Sequence, residues 1–325
     1  MSTLVPIFTV TLPFFALVLC GYIAARSRLL PLDAVPGLNM FVLYFALPCM
    51  LYRIGSATPL DQLLDPVVGL LWFTTALLMV AFITWLARRR GAGWPDAAMG
   101  ALVAAFPNSG FMGVPLILAL LGEHSVGFVM STMLVDMVVT TSLCIGLSQW
   151  GAAGDQGASR AAGNALKGVL RNPMPWSILL GALASATGFK LWSPAMQTVS
   201  LLGNAASPVA LFAIGAVLAR SQIQARLGQL HAAAPAGDVG IVAGCKLVLH
   251  PILIWGFATL ALKAGVLGVA ALAPLVLTAA LPSASNVSLL AERFGADNGR
   301  IARIILWSTC AAFISFSAIA GLYVK

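Results

Sequence analysis

Apolar residues gather in stretches near twenty residues long that recur along the whole chain, at about 5–25, 36–54, 66–87, 97–121, 124–149, 173–190, 197–219, 239–262, 268–291 and 301–323. Each stretch matches a hydrocarbon core roughly 30 Å thick at about 1.5 Å of rise per helical residue. Polar positions fall mainly in the short connections. The pattern therefore predicts an all-α membrane protein of ten transmembrane helices, with no soluble domain between them.

Composition agrees with that pattern. Of 325 residues, 60% are hydrophobic and 9% charged, where a soluble domain carries about a quarter charged residues. Arg26 and Arg28 follow the first apolar stretch, whereas a secretory signal carries its positive charge in front, so this stretch reads as a retained helix. Cys20, Cys49, Cys144, Cys245 and Cys310 lie in apolar runs without metal spacing and read as small buried hydrophobes. No cofactor or metal is expected.

The formal charge of +8 does not indicate a nucleic-acid partner, because the basic residues sit in loops between spans. Thirteen of the 18 Lys and Arg fall on one set of alternate loops and four on the other, with Lys246 alone inside a span. Positive charge marks the cytoplasmic side. The expected placement is a multi-pass protein of the bacterial inner membrane, both termini outward. Arg53, Asp61 and Asp65 are expected in a solvated outer loop, Arg300 and Arg303 in a cytoplasmic one. Trp72, Trp85, Trp94 and Trp192, near span ends, read as interfacial anchors.

Ten spans divide into two halves, residues 1–150 and 165–325. With five spans in each, the halves must insert in opposite directions. Pro13, Gly21 and Pro48 match Pro173, Gly181 and Pro208 at an offset of 160 residues. Ala104-Ala105-Phe106-Pro107 and Ala279-Ala280-Leu281-Pro282 match at an offset of 175. These matches predict an inverted repeat.

The fourth span contains Pro107-Asn108-Ser109-Gly110-Phe111-Met112-Gly113-Val114-Pro115, and the ninth contains Leu281-Pro282-Ser283-Ala284-Ser285-Asn286. Proline removes a backbone donor and clashes with the preceding turn, and glycine weakens what remains. Both helices are expected to break at mid-membrane, where freed backbone groups persist only if protein covers them or they line a wet cavity. Half-helix amino ends suit a carboxylate, and unwound carbonyls suit a cation. Pro107, Asn108, Ser109, Gly110, Pro282, Ser283, Ser285 and Asn286 are the candidate substrate residues, with Asn108 and Asn286 foremost. The competing reading is a pair of proline kinks whose Asn and Ser satisfy local backbone.

Asp136 and Lys246 lie deep in spans, where a charge is expensive and needs a partner or a function. His250 lies four residues after Lys246, on the same helical face. Lys246 is a candidate to neutralise an anionic substrate or to pair with Asp136. Asp136 and His250 are candidates to change protonation during transport. A static Asp136–Lys246 pair, and a His250 that satisfies a polar spot, are the structural alternatives.

The motifs just quoted, together with Asn39-Met40-Phe41-Val42-Leu43-Tyr44-Phe45-Ala46-Leu47-Pro48 in the second span, resemble the auxin efflux carrier family over essentially the whole chain. The resemblance implies a fold similar to that of bile-acid sodium symporters. Spans 1, 2, 6 and 7 would form a scaffold, and spans 3–5 and 8–10 a moving domain in which the broken spans 4 and 9 cross. It implies a secondary active transporter working by an elevator-like shift, with Pro107, Asn108, Pro282 and the Ser and Asn after it as the substrate region. Bacterial members include malonate transporters, which makes a dicarboxylate the leading substrate. The coupling ion, H+ or Na+, stays open, as does a homodimer. The other expected partners are membrane lipid and the organic anion.

An anion channel and a carrier of an auxin-like monocarboxylate remain as alternatives. An enzyme is not expected. Asp136 is the only membrane-embedded carboxylate, where an aspartyl protease needs two, and neither a GxSG nor a GxxxxGK[ST] motif occurs.

Overall fold

The structure, a computed structural model, describes residues 4–150, 172–227 and 236–323, with Gly163 and Leu170 between the first two segments. Arg160, Lys167, Arg171 and Lys325, which enter the charge balance above, lie outside the described residues. The chain is 86% helical, with no strand among the described residues. In order, the helices are α1 (Leu4–Arg26), α2 (Leu32–Ala57), α3 (Pro66–Arg89), α4 (Trp94–Ala105), α5 (Ser109–Leu121) and α6 (Glu123–Gln149). There follow α7 (Pro173–Thr187), α8 (Ser193–Arg226), α9 (Gly237–Lys263), α10 (Val269–Ala280), α11 (Val287–Arg293) and α12 (Asn298–Tyr323). Six are long and apolar enough to cross a membrane: α2, α3 with the short turn Leu60–Leu63 before it, α6, α8, α9 and α12.

Local chemistry sets the helix ends. Asp65 accepts from the Val67 and Val68 amides and Pro66 opens α3, an N-cap followed by proline at the first helical position. Asn172 and Pro173 do the same for α7, which Gly188 ends in the left-handed conformation at φ 67°. Asp65 is thus a cap, and Arg53 lies on α2, where it donates to Asn204 Oδ1 at 2.7 Å; neither is a free loop charge.

Between helices in lipid there is no hydrophobic driving force, so close approach of small residues and polar contacts must hold the bundle. Gly21 on α1 meets α8 so tightly that a Cβ would lie 1.9 Å from Phe212 O, and one on Gly215 would lie 1.8 Å from Val18 O. On α7, a Cβ at Gly181 would lie 2.8 Å from Tyr52 O, with Gly55 opposite. The α1–α8 and α2–α7 pairs are therefore built alike, each across glycines. The outer faces carry exposed Leu19, Leu180 and Leu201, as suits contact with lipid tails.

A second binding device is ionic. The amino ends of α4, α9 and α12 meet at Arg300, which is 5% exposed. Its Nε donates to Asp238 Oδ2 at 2.5 Å and its Nη1 to Asp96 O at 2.8 Å. Gly100 leaves room for the guanidinium, since a Cβ there would lie 2.7 Å from Nη1. Arg300 is therefore buried in a clasp and not in a loop. Removing one member of a buried pair strands the other. Because Asp238 keeps some solvent contact, Arg300→Ala is expected to lose about 2 kcal/mol, with Arg300→Lys recovering only part for want of the planar fork. Thermal unfolding of the purified protein checks both.

Candidate substrate site at the helix crossing

The helix of α4 ends at Ala105 because Pro107 supplies no amide, and Phe106 is extended (φ −93°, ψ 106°). In the same way α10 ends at Ala280, and Leu281 before Pro282 is extended (φ −61°, ψ 154°). The two extended pieces lie antiparallel, with Pro107 opposite Ser283. Asn108 N donates to Pro282 O at 2.8 Å and Ala284 N donates to Phe106 O at 3.0 Å. In this register neither proline stands where an amide is required. Residues 107 and 283 face each other, so the local pairing is one residue away from the Pro107–Pro282 match in the sequence.

Beyond the crossing, Asn108 O accepts from the Met112 and Gly113 amides, both at 3.0 Å, which starts α5 with a wide π-type turn over Ser109–Gly113. A Cβ on Gly113 would lie 2.7 Å from Leu281 Cδ1, so this turn sits directly against the other interruption. Asn108 is 5% exposed and Ser109 and Ser283 are buried, while Ser285 and Asn286 are half-buried. Ser283 N donates to Ser308 Oγ on α12 at 3.2 Å, and Ser283 Oγ is buried without a hydrogen-bond partner.

A cavity of about 20 Å³ lies here. Pro107, Asn108, Ser109, Gly110, Ser285 and Asn286 line it from the crossing, Leu43 and Leu47 from α2, Met137 from α6 and Met174 from α7. That volume accommodates about one water. Six of the candidate substrate residues thus share one cavity; Pro282 and Ser283 are placed behind it, in the paired backbone.

The three ionisable candidates form a separate group. Asp136, Lys246 and His250 are all fully buried, and none lines the cavity. Asp136 Oδ1 accepts from Thr140 Oγ1 at 3.0 Å, and its Oδ2 has no hydrogen-bond partner. Lys246 Nζ donates to Ala279 O at 2.6 Å and lies 3.0 Å from His250 Nδ1. Asp136 and Lys246 make no ion-pair contact with each other. Both stand in wide π-type turns, Asp136–Thr140 and Cys245–Leu249, a deformation often found at functional sites.

Trp72 corrects an expectation. It is fully buried, packs edge-on against His250 with ring centroids 5.3 Å apart, and is no interfacial anchor. Tryptophan near a span end ordinarily signals the interface, and only the packing of α3 on α9 moves this one inside. Trp192 and Trp85 do stay exposed. Ser308 and the Ala279 carbonyl were equally hidden in the sequence, because their parts arise from contacts between separate helices of the second half.

A helical, apolar chain whose long segments suit a bilayer, with a small cavity at interrupted helices, defines a multi-pass membrane protein. Its family follows from comparison: residues 6–320 match the model described as Membrane transport protein, and the chain belongs to that family, that of the auxin efflux carriers. It is therefore a membrane transporter. It is 30% identical over 322 residues, 96% of this chain and 93% of the other, to a protein of Rhizobium meliloti (strain 1021) named "Putative malonate transporter". It is 27% identical over 312 residues to an "Uncharacterized transporter" of Methanothermobacter thermautotrophicus, covering 94% of each chain. To the "Uncharacterized transporter YfdV" of Escherichia coli (strain K12) it is 26% identical over 296 residues, 87% of each.

Proposed function

We propose that the protein is a secondary active transporter of a small organic anion, a dicarboxylate such as malonate, in the bacterial inner membrane with both termini outward. Its ten spans form two inverted five-span halves, α4–α5 and α10–α11 being the broken fourth and ninth. Supporting the repeat, Gly21 and Gly181, and likewise Gly55 and Gly215, stand 160 residues apart, and each makes an equivalent close approach to a helix of the other half.

The observation that carries the reading is the cavity's position. Its walls come from the crossing and α6 on one side and from α2 and α7 on the other. Those are the moving and scaffold spans of an elevator. With room for about one water the cavity is too small for a dicarboxylate, which enters only when the crossing moves away from Leu43, Leu47 and Met174. The substrate's carboxylate then meets the first-turn amides of α5, the positive end of a half-helix, with the Asn108 and Asn286 amides beside it.

Asp136 and His250 are the groups proposed to exchange a proton with transport. Asp136 faces Thr140 on its own helix and Trp72 on α3 and lies within electrostatic reach of Lys246 and Cys144; His250 faces Lys246 and Trp72. Malonate is the compound in the name of the Rhizobium relative, so it is the first substrate to measure. The test is uptake of radiolabelled malonate into proteoliposomes under imposed pH or sodium gradients. The parent is expected to accumulate it, and Asn108→Ala and Asn286→Ala to lose at least about tenfold in uptake, as for one charge-assisted hydrogen bond removed. Conductance without accumulation in the parent would replace the carrier by a channel.

A further inference from the structure

Ala279 O is an acceptor that its own helix cannot serve. In a regular helix its donor is Ser283 N, and in a tightened last turn it is the residue at 282. Ser283 N is turned to Ser308 Oγ at 3.2 Å, and Pro282 has no amide hydrogen. The carbonyl therefore lies free at the carboxyl end of α10, where the helix carries partial negative charge. Ends of this kind are where a transporter's half-helix holds a cation.

The acceptor is filled from another helix. Lys246 on α9 reaches it with Nζ at 2.6 Å, and the same Nζ lies 3.0 Å from His250 Nδ1. An ammonium only donates. With Lys246 in that form His250 accepts at Nδ1 and carries its hydrogen on Nε2, which is buried without a hydrogen-bond partner. Lys246 is fully buried and has no carboxylate in ion-pair contact, so what stabilises its charge at this depth is the carbonyl, the imidazole and the helix end, with Asp136 acting on it from beyond contact. Trp72 closes the group on the side of α3.

We infer that Lys246 is a built-in cation: its ammonium occupies the place at the carboxyl end of α10 where a free monovalent cation would otherwise bind. In this role it is a positioning residue. It ties the first half of the broken span to α9 and so holds Leu281–Ala284, the strand that pairs with Phe106–Asn108. It does not touch the cavity, so it does not act as a direct ligand of substrate. The inference deepens the transporter reading and rests on the crossing being the substrate site.

The experiment is thermal unfolding of the purified full chain in sodium, ammonium and choline chloride at equal ionic strength, with parent, Lys246→Ala and Lys246→Met. The parent is expected to unfold at one temperature in all three salts. Lys246→Ala, which opens a space beside Ala279 O and His250, is expected to unfold several degrees lower in choline and to regain most of that shift in sodium or ammonium. Lys246→Met, which fills the space without a charge, is expected to stay low in all three.

A folded Lys246→Ala with the same unfolding temperature in every salt overturns the inference. So does a Lys246→Met as stable as the parent, which decides the matter if Lys246→Ala yields no folded protein. Neither readout involves substrate. Failure of the parent to accumulate any organic anion would remove the carrier reading and leave the cation result to stand or fall separately.

Discussion

Gly215→Val is expected to cost at least about 3 kcal/mol of stability, at or above the upper end of ordinary overpacking losses. The reason is what the new side chain would strike. A Cβ at 215 lies 1.8 Å from Val18 O and 2.6 Å from Tyr22 N, both backbone atoms of α1, so no rotamer change relieves the clash. The two helices must separate along their length. In lipid that separation forfeits the packing that joins them, because tails solvate apolar side chains as well as a neighbouring helix does.

The comparison that isolates the effect is Gly69→Val, on α3, where a Cβ meets nothing within 4 Å. It is expected to leave unfolding within a few tenths of a kcal/mol of the parent, as for helix positions with open space beside them. Gly181→Val should fall between, since its Cβ would lie 2.8 Å from Tyr52 O. Thermal unfolding and the monodisperse yield give the order. A Gly215→Val protein that unfolds at the parent's temperature would show that α1 and α8 do not pack as described.

These glycines also show where legibility in the sequence stops. The offset of 160 residues picks out Gly21 and Gly181 as equivalents, because the same local requirement recurs in each half. It does not name their partners. Gly21 faces α8 and Gly181 faces α2, and each of those contacts joins one half to the other. Apolar length and proline spacing are properties of a segment and can be read from it. Contacts between distant segments cannot.

The candidate site divides along the same line. Asn108 and Asn286 stand in motifs whose composition marks them, and the structure places both on one cavity. Lys246, Asp136 and His250 were marked by charge at depth alone, and depth says nothing about direction. Lys246 turns to the end of α10 and not to the cavity, and Asp136 is set beside Thr140 and Trp72. Trp72 and Arg300 misled for a converse reason. Tryptophan and arginine at span ends are normally wet, and here helix packing buries both.

Ala284→Pro is expected to abolish transport, while Pro282→Ala is expected to retain most of it. The prolines at the crossing invite the opposite ranking, since they end the helices. Yet in the observed register the amides that hold the two pieces together belong to Asn108 and Ala284, which donate to Pro282 O and Phe106 O. Replacing Pro282 restores an amide at a position from which the pairing asks only a carbonyl. Because Leu281 is already extended and Lys246 engages Ala279 O, α10 does not continue through the crossing merely because an amide is present.

Proline at 284 instead deletes one of the two bonds and strands the buried Phe106 carbonyl, a loss of about 1–3 kcal/mol before any steric term. Concentrated on the segment that carries Ser285 and Asn286, it displaces both from the cavity. Uptake by Ala284→Pro at the parental rate, from protein shown to be folded, would mean that this backbone pairing does not shape the site.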